Sequence, residues 1–440
     1  MVVLACAMLL ACSGAERAVR VTVVVRTPTD DVCLTAREEG TSPRVVFVMP
    51  YPTSALPTPA TLTFVAGPSF GGTVDVTARG VLAGSFVGGA TVTTTLTAQG
   101  TAEATLPIER CRARGAAGFG TRPGGTFAAL HDPPRAIATD YDADGRDELL
   151  AVAADGSLAV LDAENVAEGS HRESELLTTN GVLVRAGDLD GDCRADVIAV
   201  ATSGVLVVSS EDGASPPPIG STPHDVAIGR VGRAAPTRLV IAGAAGLTLV
   251  PPPGTMGSPT PLSPLALDHV VAWDADGDGG TEIVATGPMG LLSFKTVAGV
   301  ETLETPFPVA GFPMFHGPVA VGDIDDDGDT DLVVADAMSI HVATRAAAVF
   351  LDMSGAPVTM LDSAAVRLVV ADVDGDCADD VLALSQSDMV SAFRFVAGGG
   401  LRLIGTQSGV LDFAVGDFDG DGAREVALIG TGGRVTLWQP

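Results

Sequence analysis

The stretch "DIDDDGDTDLVVAD", residues 323–336, sets five aspartates within seven positions and then runs directly into the apolar segment Leu332 to Ala335. Like charges this close cost free energy unless a cation sits among them or water screens them. Repetition separates a metal loop from a solvated acidic loop. "DYDADGRDEL" from Asp140, "DLDGDCRADV" from Asp188, "DADGDGGTEI" from Asp274, "DVDGDCADDV" from Asp372 and "DFDGDGAREV" from Asp417 share one template with it. In every copy an acid holds the first, third, fifth and ninth place, and leucine or a β-branched residue holds the tenth. Solvation needs acidity but not that spacing.

The spacing suits calcium, a hard cation that takes six to eight oxygens at about 2.3–2.6 Å. Alternate carboxylates on a tightly turning loop converge on one point, and a glycine at the sixth place permits the turn. The candidate ligands are Asp140, Asp142, Asp144 and Glu148, then Asp188, Asp190, Asp192 and Asp196, then Asp274, Asp276, Asp278 and Glu282. The later loops supply Asp323, Asp325, Asp327 and Asp331, then Asp372, Asp374, Asp376 and Asp380, and finally Asp417, Asp419, Asp421 and Glu425. An EF-hand begins alike but requires a glutamate at its twelfth place. Here that place holds Ala151, Ala199, Ala285, Val334, Ala383 and Leu428, and strand follows where a helix should continue. The EF-hand reading is excluded.

Successive first aspartates lie 48, 86, 49, 49 and 45 residues apart, so one interval hides a repeat. "GRVGRAAPTRLVIAG" from Gly229 fills it, aligning without gaps on "GDIDDDGDTDLVVAD" from Gly322. It keeps the apolar frame and replaces the acids with Arg230, Gly232, Ala234 and Arg238. The count becomes seven repeats and six calcium ions, because a guanidinium offers a metal no lone pair. A period in the forties with several short strands per unit predicts a β-propeller blade. The last repeat stops after its third strand, "GRVTLWQP" at 433–440, and "GTFAALHD" at 125–132 is expected to supply the missing outer strand. The predicted fold is all-β, a seven-bladed β-propeller over 125–440.

On these motifs the chain from about 125 onward resembles the FG-GAP and VCBS repeat propellers, the fold of the integrin α-subunit head. Their blades carry D-x-D-x-D-G-x-x-D calcium loops between the first two strands. The phenylalanine-glycine and glycine-alanine-proline signatures are mostly absent, which makes VCBS-type the better name. Cys193 and Cys377 stand where the sixth place is glycine in the other acidic loops.

The N-terminal run "MVVLACAMLLACSGAE" (1–16) resembles a bacterial lipobox at Leu9-Leu10-Ala11-Cys12, which implies lipidation of Cys12 after export. Export to the outer membrane, cell surface or periplasm fits weak extracellular calcium sites. No other unbroken apolar run is long enough to span a bilayer, so membrane association is expected only through the anchor. Export also permits disulfides. Cys33 and Cys111 bracket the segment before the propeller and form the preferred bridge, while Cys193 and Cys377, in the second and sixth repeats, are expected too far apart to pair with each other. Residues 17–112 alternate as "VRVTVVVRT" and "GTVDVTA" do, with Pro and Gly between strands, and read as a small N-terminal immunoglobulin-like β-sandwich. Residues 113–124 read as a linker.

The formal charge of −29 argues against nucleic acid or an anionic membrane surface as partner. No nucleophile elbow, zinc-protease helix, phosphate loop or dinucleotide fingerprint is present. His131, His224, His269 and His316 each precede a loop by five to nine residues, at the start of an innermost strand and opposite the calcium face. They read as solvated loop imidazoles or as a second metal or ligand site. The functional expectation is a monomeric binding or adhesion module for a protein or glycan. The alternatives are a structural envelope component or a polysaccharide-active enzyme with its site at the channel mouth.

Overall fold

The computed structural model describes residues 17–25, 29–38, 44–52, 60–66, 72–83, 85–95, 100–108, 120–127, 130, 135–141, 146–155, 157–162, 172–174, 181–189, 193–201, 206–209, 223–230, 237–251, 258–275, 281–297, 300–304, 316–346, 349–352, 361–396, 400–419 and 423–439. They fall into two units, one over 1–82 and 86–110 and the other over 83–85 and 111–440. The chain is all-β: among the described residues the one helical element is a 3-10 turn at Thr431–Gly433.

In the first unit, Arg17–Val25 lies between Ala60–Ala66, antiparallel to it, and Gly100–Ile108, parallel to it. A second sheet runs in the order Arg44–Pro52, Asp31–Glu38, Thr73–Leu82, Ser85–Thr95. Strict alternation places Val74, Val76 and Ala78 inward with Val32, Leu34 and Ala36. They meet Val19, Val21, Val23, Leu106 and Ile108 of the other sheet in one core. Between those inward residues, Thr77 pairs with Thr91 at 2.9 Å and Thr93 donates to Asp75 at 2.6 Å. Cys33 and, in the second unit, Cys193 are buried; both are disulfide-bonded, as is Cys377 of the second unit. Cys111, its expected partner, and Cys12 lie outside the described residues.

Among its described residues the second unit holds seven antiparallel sheets in chain order. The first strands are Ala136–Thr139, Gly181–Gly187, Pro223–Gly229, His269–Trp273, Val319–Gly322, Ala365–Ala371 and Val410–Gly416. The second strands are Glu148–Val152, Asp196–Ala201, Arg238–Gly243, Glu282–Gly287, Asp331–Asp336, Asp380–Ser385 and Glu425–Gly430. Each second strand pairs on both edges and is covered on both faces, so its apolar run is continuous rather than alternating. The third sheet forms despite its lost acids, through Arg238–Gly243 and Gly246–Val250. The seventh is completed by Gly120–Thr126, paired antiparallel with Arg434–Gln439. The completing strand therefore begins in the stretch read as linker, five residues before the expected segment, and ends on that segment's second residue.

Neighbouring sheets share cores. Ile137, Leu150 and Val160 of the first pack with Val184 and Val197 of the second, and Leu382, Leu384 and Val390 of the sixth pack with Phe413, Val426 and Leu428 of the seventh. The seventh packs on the first through Ala414, Phe418, Ala427 and Leu437 against Ala136, Leu149, Ala151 and Leu161. Each of the valine, leucine, isoleucine and phenylalanine side chains among them, fully buried, contributes about 1.5–3 kcal/mol.

Small residues set the spacing where the first strands end. A Cβ on Gly416 would lie 2.7 Å from Ala138 Cβ and 2.9 Å from Asp147 of the first sheet, and one on Gly322 would lie 2.3 Å from Val370 of the sixth. Overpacking of this kind costs about 1–3 kcal/mol. Gly416→Ala is expected to destabilise by that amount in a denaturant titration. Gly430→Ala, where the nearest atoms would be at 3.6 Å, should leave the midpoint unchanged.

Candidate metal centres

All six acidic loops connect a first strand to a second, and one hydrogen bond recurs in each. The ninth-place carboxylate accepts from the backbone N–H of the second-place residue. The bonds run from Tyr141 to Glu148 at 2.6 Å, Leu189 to Asp196 at 2.8 Å, Ala275 to Glu282 at 2.8 Å, Ile324 to Asp331 at 2.9 Å, Val373 to Asp380 at 3.1 Å and Phe418 to Glu425 at 3.2 Å. A carboxylate that opens a buried central strand is thereby satisfied by the backbone seven residues earlier. The second-place side chain turns inward, and Leu189, Ile324, Val373 and Phe418 are all buried.

The first-place aspartate is held by its own loop. Its Oδ2 accepts from the sixth-place backbone N–H in the second, fifth and sixth loops, at 3.0 Å from Cys193, 3.1 Å from Gly328 and 3.1 Å from Cys377. All three sixth-place residues have positive φ, at 64°, 90° and 83°. The cysteines adopt the turn that glycine makes without cost, at roughly 1–2 kcal/mol each. The replacements therefore preserve the sixth-place turn.

These constraints bring the first, third and ninth carboxylates together. Ligand oxygens of Asp323, Asp325 and Asp331 lie within 4.8 Å of one another, as do those of Asp372, Asp374 and Asp380, and of Asp417, Asp419 and Glu425. The fifth-place Asp327 and Asp376 stay outside these groups. Asp327 accepts from Asp329 N at 2.9 Å, and Asp376 accepts from Ala378 N at 3.1 Å and pairs with Arg394 Nε at 3.1 Å. Arg394 also reaches Asp374, and Arg122 pairs with Asp419 at 3.0 Å. Asp140, Glu148, Asp188, Asp196, Asp274 and Glu282 hold their loop ends, while Asp142, Asp144, Asp190, Asp192, Asp276, Asp278 and Asp421 lie outside the described residues.

Burial makes these carboxylates poor anions. It pushes Asp331 up to about 7, with Asp325 and Asp323 adding repulsion against two backbone N–H donors. Asp380 rises to about 8, again chiefly by burial, with Asp372, Asp376 and Asp379 nearby. Asp325 and Asp372 are raised for the same leading reason. Asp325 Oδ1 and Asp380 Oδ1 are buried without a hydrogen-bond partner. Carboxylate oxygens that face one another and lack donors fit a hard dication.

Sequence reasoning did not assign the eighth place. Its residue clasps the first-place residue of the preceding sheet. Asp379 N donates to Asp323 O at 2.9 Å while Asp379 Oδ2 accepts from Asp323 N at 2.9 Å. Asp147 does the same to Asp417, at 3.0 and 2.8 Å, across the seventh and first sheets. Thr281 N donates to Arg230 O at 2.9 Å. The histidines do not converge. His224 pairs with Asp268 at 3.0 Å, His316 Nδ1 donates to Gly287 O at 2.7 Å, and His269 lies 3.7 Å from Asp225. His131 is outside the described residues.

No protein-family model matches the chain, and no curated protein matches it. Among solved structures it is similar to BBS1N in complex with ARL6DN, in crystals soaked with mercury and with lead. The TM-scores are 0.49 and 0.48, at 13% identity over 73% of this chain and 95% of that chain.

The buried carboxylates set a pH dependence. Without a cation, Asp380 binds a proton in the folded state up to about pH 8, whereas its unfolded counterpart, near 3.8, does not. Folding then takes up a proton across that window, so stability falls as pH rises through it. In Asp380→Asn the amide carbonyl keeps the bonds from Val373 and Asp374, and its NH2 occupies the donor-less side. In EGTA the wild-type melting temperature is expected to drop from pH 5.5 to 8.5 more steeply than that of the variant. Parallel slopes would show that Asp380 titrates normally.

Proposed function

We propose that this is an exported seven-bladed β-propeller with calcium in its acidic loops, acting as a binding module for a protein or glycan at the cell envelope. One observation carries the metal reading: in three loops the first, third and ninth carboxylates gather within 4.8 Å. At such range each like-charged pair repels by about 3–4 kcal/mol at an effective dielectric constant of 20. Asp323, Asp325 and Asp331, with their counterparts in the sixth and seventh loops, would hold the ion, which supplies charge neutralisation and cross-links the loop to the second strand. The seven sheets packed in sequence, seventh on first, support the propeller reading. The first unit is read as an immunoglobulin-like sandwich, and Cys12 as the lipid anchor.

A rigid ring that presents variable loops suits recognition, since binding residues concentrate on loops held by a scaffold. The first test is metal. At about ten times a site constant each ion adds about 1.4 kcal/mol, so six add roughly 8, against a typical domain stability of about 5–15 kcal/mol. Excess EGTA at neutral pH is expected to lower the melting temperature sharply, and metal analysis after gel filtration in calcium should give six ions, none beside Arg230. A melting curve indifferent to EGTA would remove calcium from the account. The second test is ligand: arrayed glycans and envelope proteins should capture the chain in calcium and release it in EGTA. Absence of any capture, with fixed stoichiometry to one envelope component, would favour a structural role.

A further inference from the structure

In the fifth, sixth and seventh sheets the third-strand residue opposite the ninth-place acid differs in charge. Leu332 faces Ala343, Val381 faces Phe393 and Val426 faces Trp438. One step along, Asp331 therefore lies opposite Thr344, Asp380 opposite Arg394 and Glu425 opposite Gln439, and residues directly opposite share a face of the sheet. Hairpin length, not spacing from the loop, puts arginine in this place. Arg345 and Arg394 both follow their loop's first aspartate by 22 residues, from 323 to 345 and from 372 to 394. The turn between second and third strands is one residue longer in the sixth sheet, where Leu384 faces Val390, than in the fifth, where Ala335 faces Ile340. A shift of one residue reverses the face a side chain takes. Arg345 gives its backbone N–H to Asp331 at 2.8 Å and brings Nη1 only to 3.8 Å from Asp329.

The sixth loop thereby carries a cation of its own. Arg394 Nη2 donates to Asp374 Oδ2, and its Nε lies 3.1 Å from Asp376 Oδ2. The other oxygens of these two acids are engaged as well: Asp374 Oδ1 accepts from Asp376 N and Asp376 Oδ1 from Ala378 N, both at 3.1 Å. Asp380 is left over. It is fully buried, and its Oδ1 has no hydrogen-bond partner. An ion entering the group of Asp372, Asp374 and Asp380 finds that oxygen open but Asp374 already held by Arg394. In the fifth loop the third-place oxygen, Asp325 Oδ1, is buried without a partner, so no guanidinium has to leave it. Displacement in the sixth loop has a direction. The Arg394 side chain is 37% exposed and that of Asp374 is 0% exposed, so the guanidinium can swing into solvent while the carboxylate stays.

We propose that Arg394 is a tethered competitor for the cation of the sixth loop, so that this site fills at a higher calcium concentration than the fifth and only as the guanidinium is displaced. The proposal rests on the calcium reading above and adds to it an order of filling and the residue that sets it. A dication at Asp374 and a guanidinium on the same carboxylate repel each other, so the two exclude one another. A group held on a packed strand competes at high effective concentration, and arginine does not lose its charge by deprotonation.

Equilibrium dialysis of the full chain with radiolabelled calcium, at constant ionic strength, tests this. Arg394→Gln is expected to tighten one bound ion at least tenfold, about the size of one charge-assisted hydrogen bond, and to leave the total number of ions unchanged. Adding Asp374→Asn to that variant should abolish the tightened ion, which places it in the sixth loop. Arg394→Lys keeps the charge and loses the two-nitrogen contact, so it should shift the same ion by less in the same direction, and it remains informative if Arg394→Gln fails to fold. Arg20→Gln, which removes an arginine paired with Glu103 in the first unit, should bind as wild type. No calcium on any of these proteins overturns the calcium reading and this proposal with it. Calcium bound by the wild type with an isotherm that both Arg394 variants leave unchanged or weaken overturns this proposal alone.

Discussion

The bond from the ninth-place carboxylate to the second-place N–H is the constraint on which the loop face of this molecule depends. It fixes the loop length, because the acceptor opens the second strand and the donor lies just past the end of the first, seven residues earlier. Once made, it turns the second-place side chain into the core and leaves the first-place backbone facing the next sheet, where the eighth-place residue clasps it. The same bond forces a carboxylate under the sheet edge. A buried anion held by neutral donors remains poorly stabilised, so the geometry that orders the loop also creates a demand for positive charge.

Two kinds of answer to that demand stand side by side. In the sixth loop Arg394 reaches Asp374 and Asp376, and in the seventh Arg122 reaches Asp419. In the fifth, Arg345 comes only to 3.8 Å of Asp329, outside the carboxylate group, and otherwise gives its backbone N–H to Asp331. These three loops are thus unequal in the positive charge they receive from the protein, and of the three the fifth receives least. In the third sheet the demand is removed at source: the acids are gone, Arg230 keeps the backbone role toward Thr281, and the sheet still forms.

The repeat, the strands and the first, third and ninth acids were legible because they recur at fixed spacing against an apolar frame. The eighth-place clasp was not, since Asp147, Thr281 and Asp379 differ in type and all three act through a backbone N–H, which a side-chain pattern does not display. Glycine before the first loop position, at Gly229, Gly322 and Gly416, was a readable trace of it: each stands where a neighbouring sheet leaves no space for a Cβ. The completing strand Gly120–Thr126 was misplaced for a related reason. "GTRPGGT" carries glycine and proline, which read as linker, yet an outermost strand tolerates both because one of its edges needs no partner. Cys193 and Cys377 read as departures from the loop pattern, but their positive φ shows the backbone following it.

A second set of ion pairs, Arg185 with Asp225 at 2.5 Å and Arg367 with Asp412 at 2.7 Å, was invisible for a different reason. Arg135, Asp225, His269, Arg367 and Asp412 all stand five places before the first loop position, a register that emerges only once the repeats are aligned on their loops. The two ends of a first strand are then electrostatically distinct. Five residues of strand, at about 3.3 Å each, separate Arg367 from Asp372 by roughly 17 Å. That is about twice the screening length of roughly 8 Å at physiological salt. The guanidiniums at one end therefore cannot neutralise the carboxylates at the other, although each sheet carries both. Each end must find its counter-charge locally, which is why Asp225 and Asp412 are buried among the arginines while the loop acids, with few cations of their own, are left facing one another.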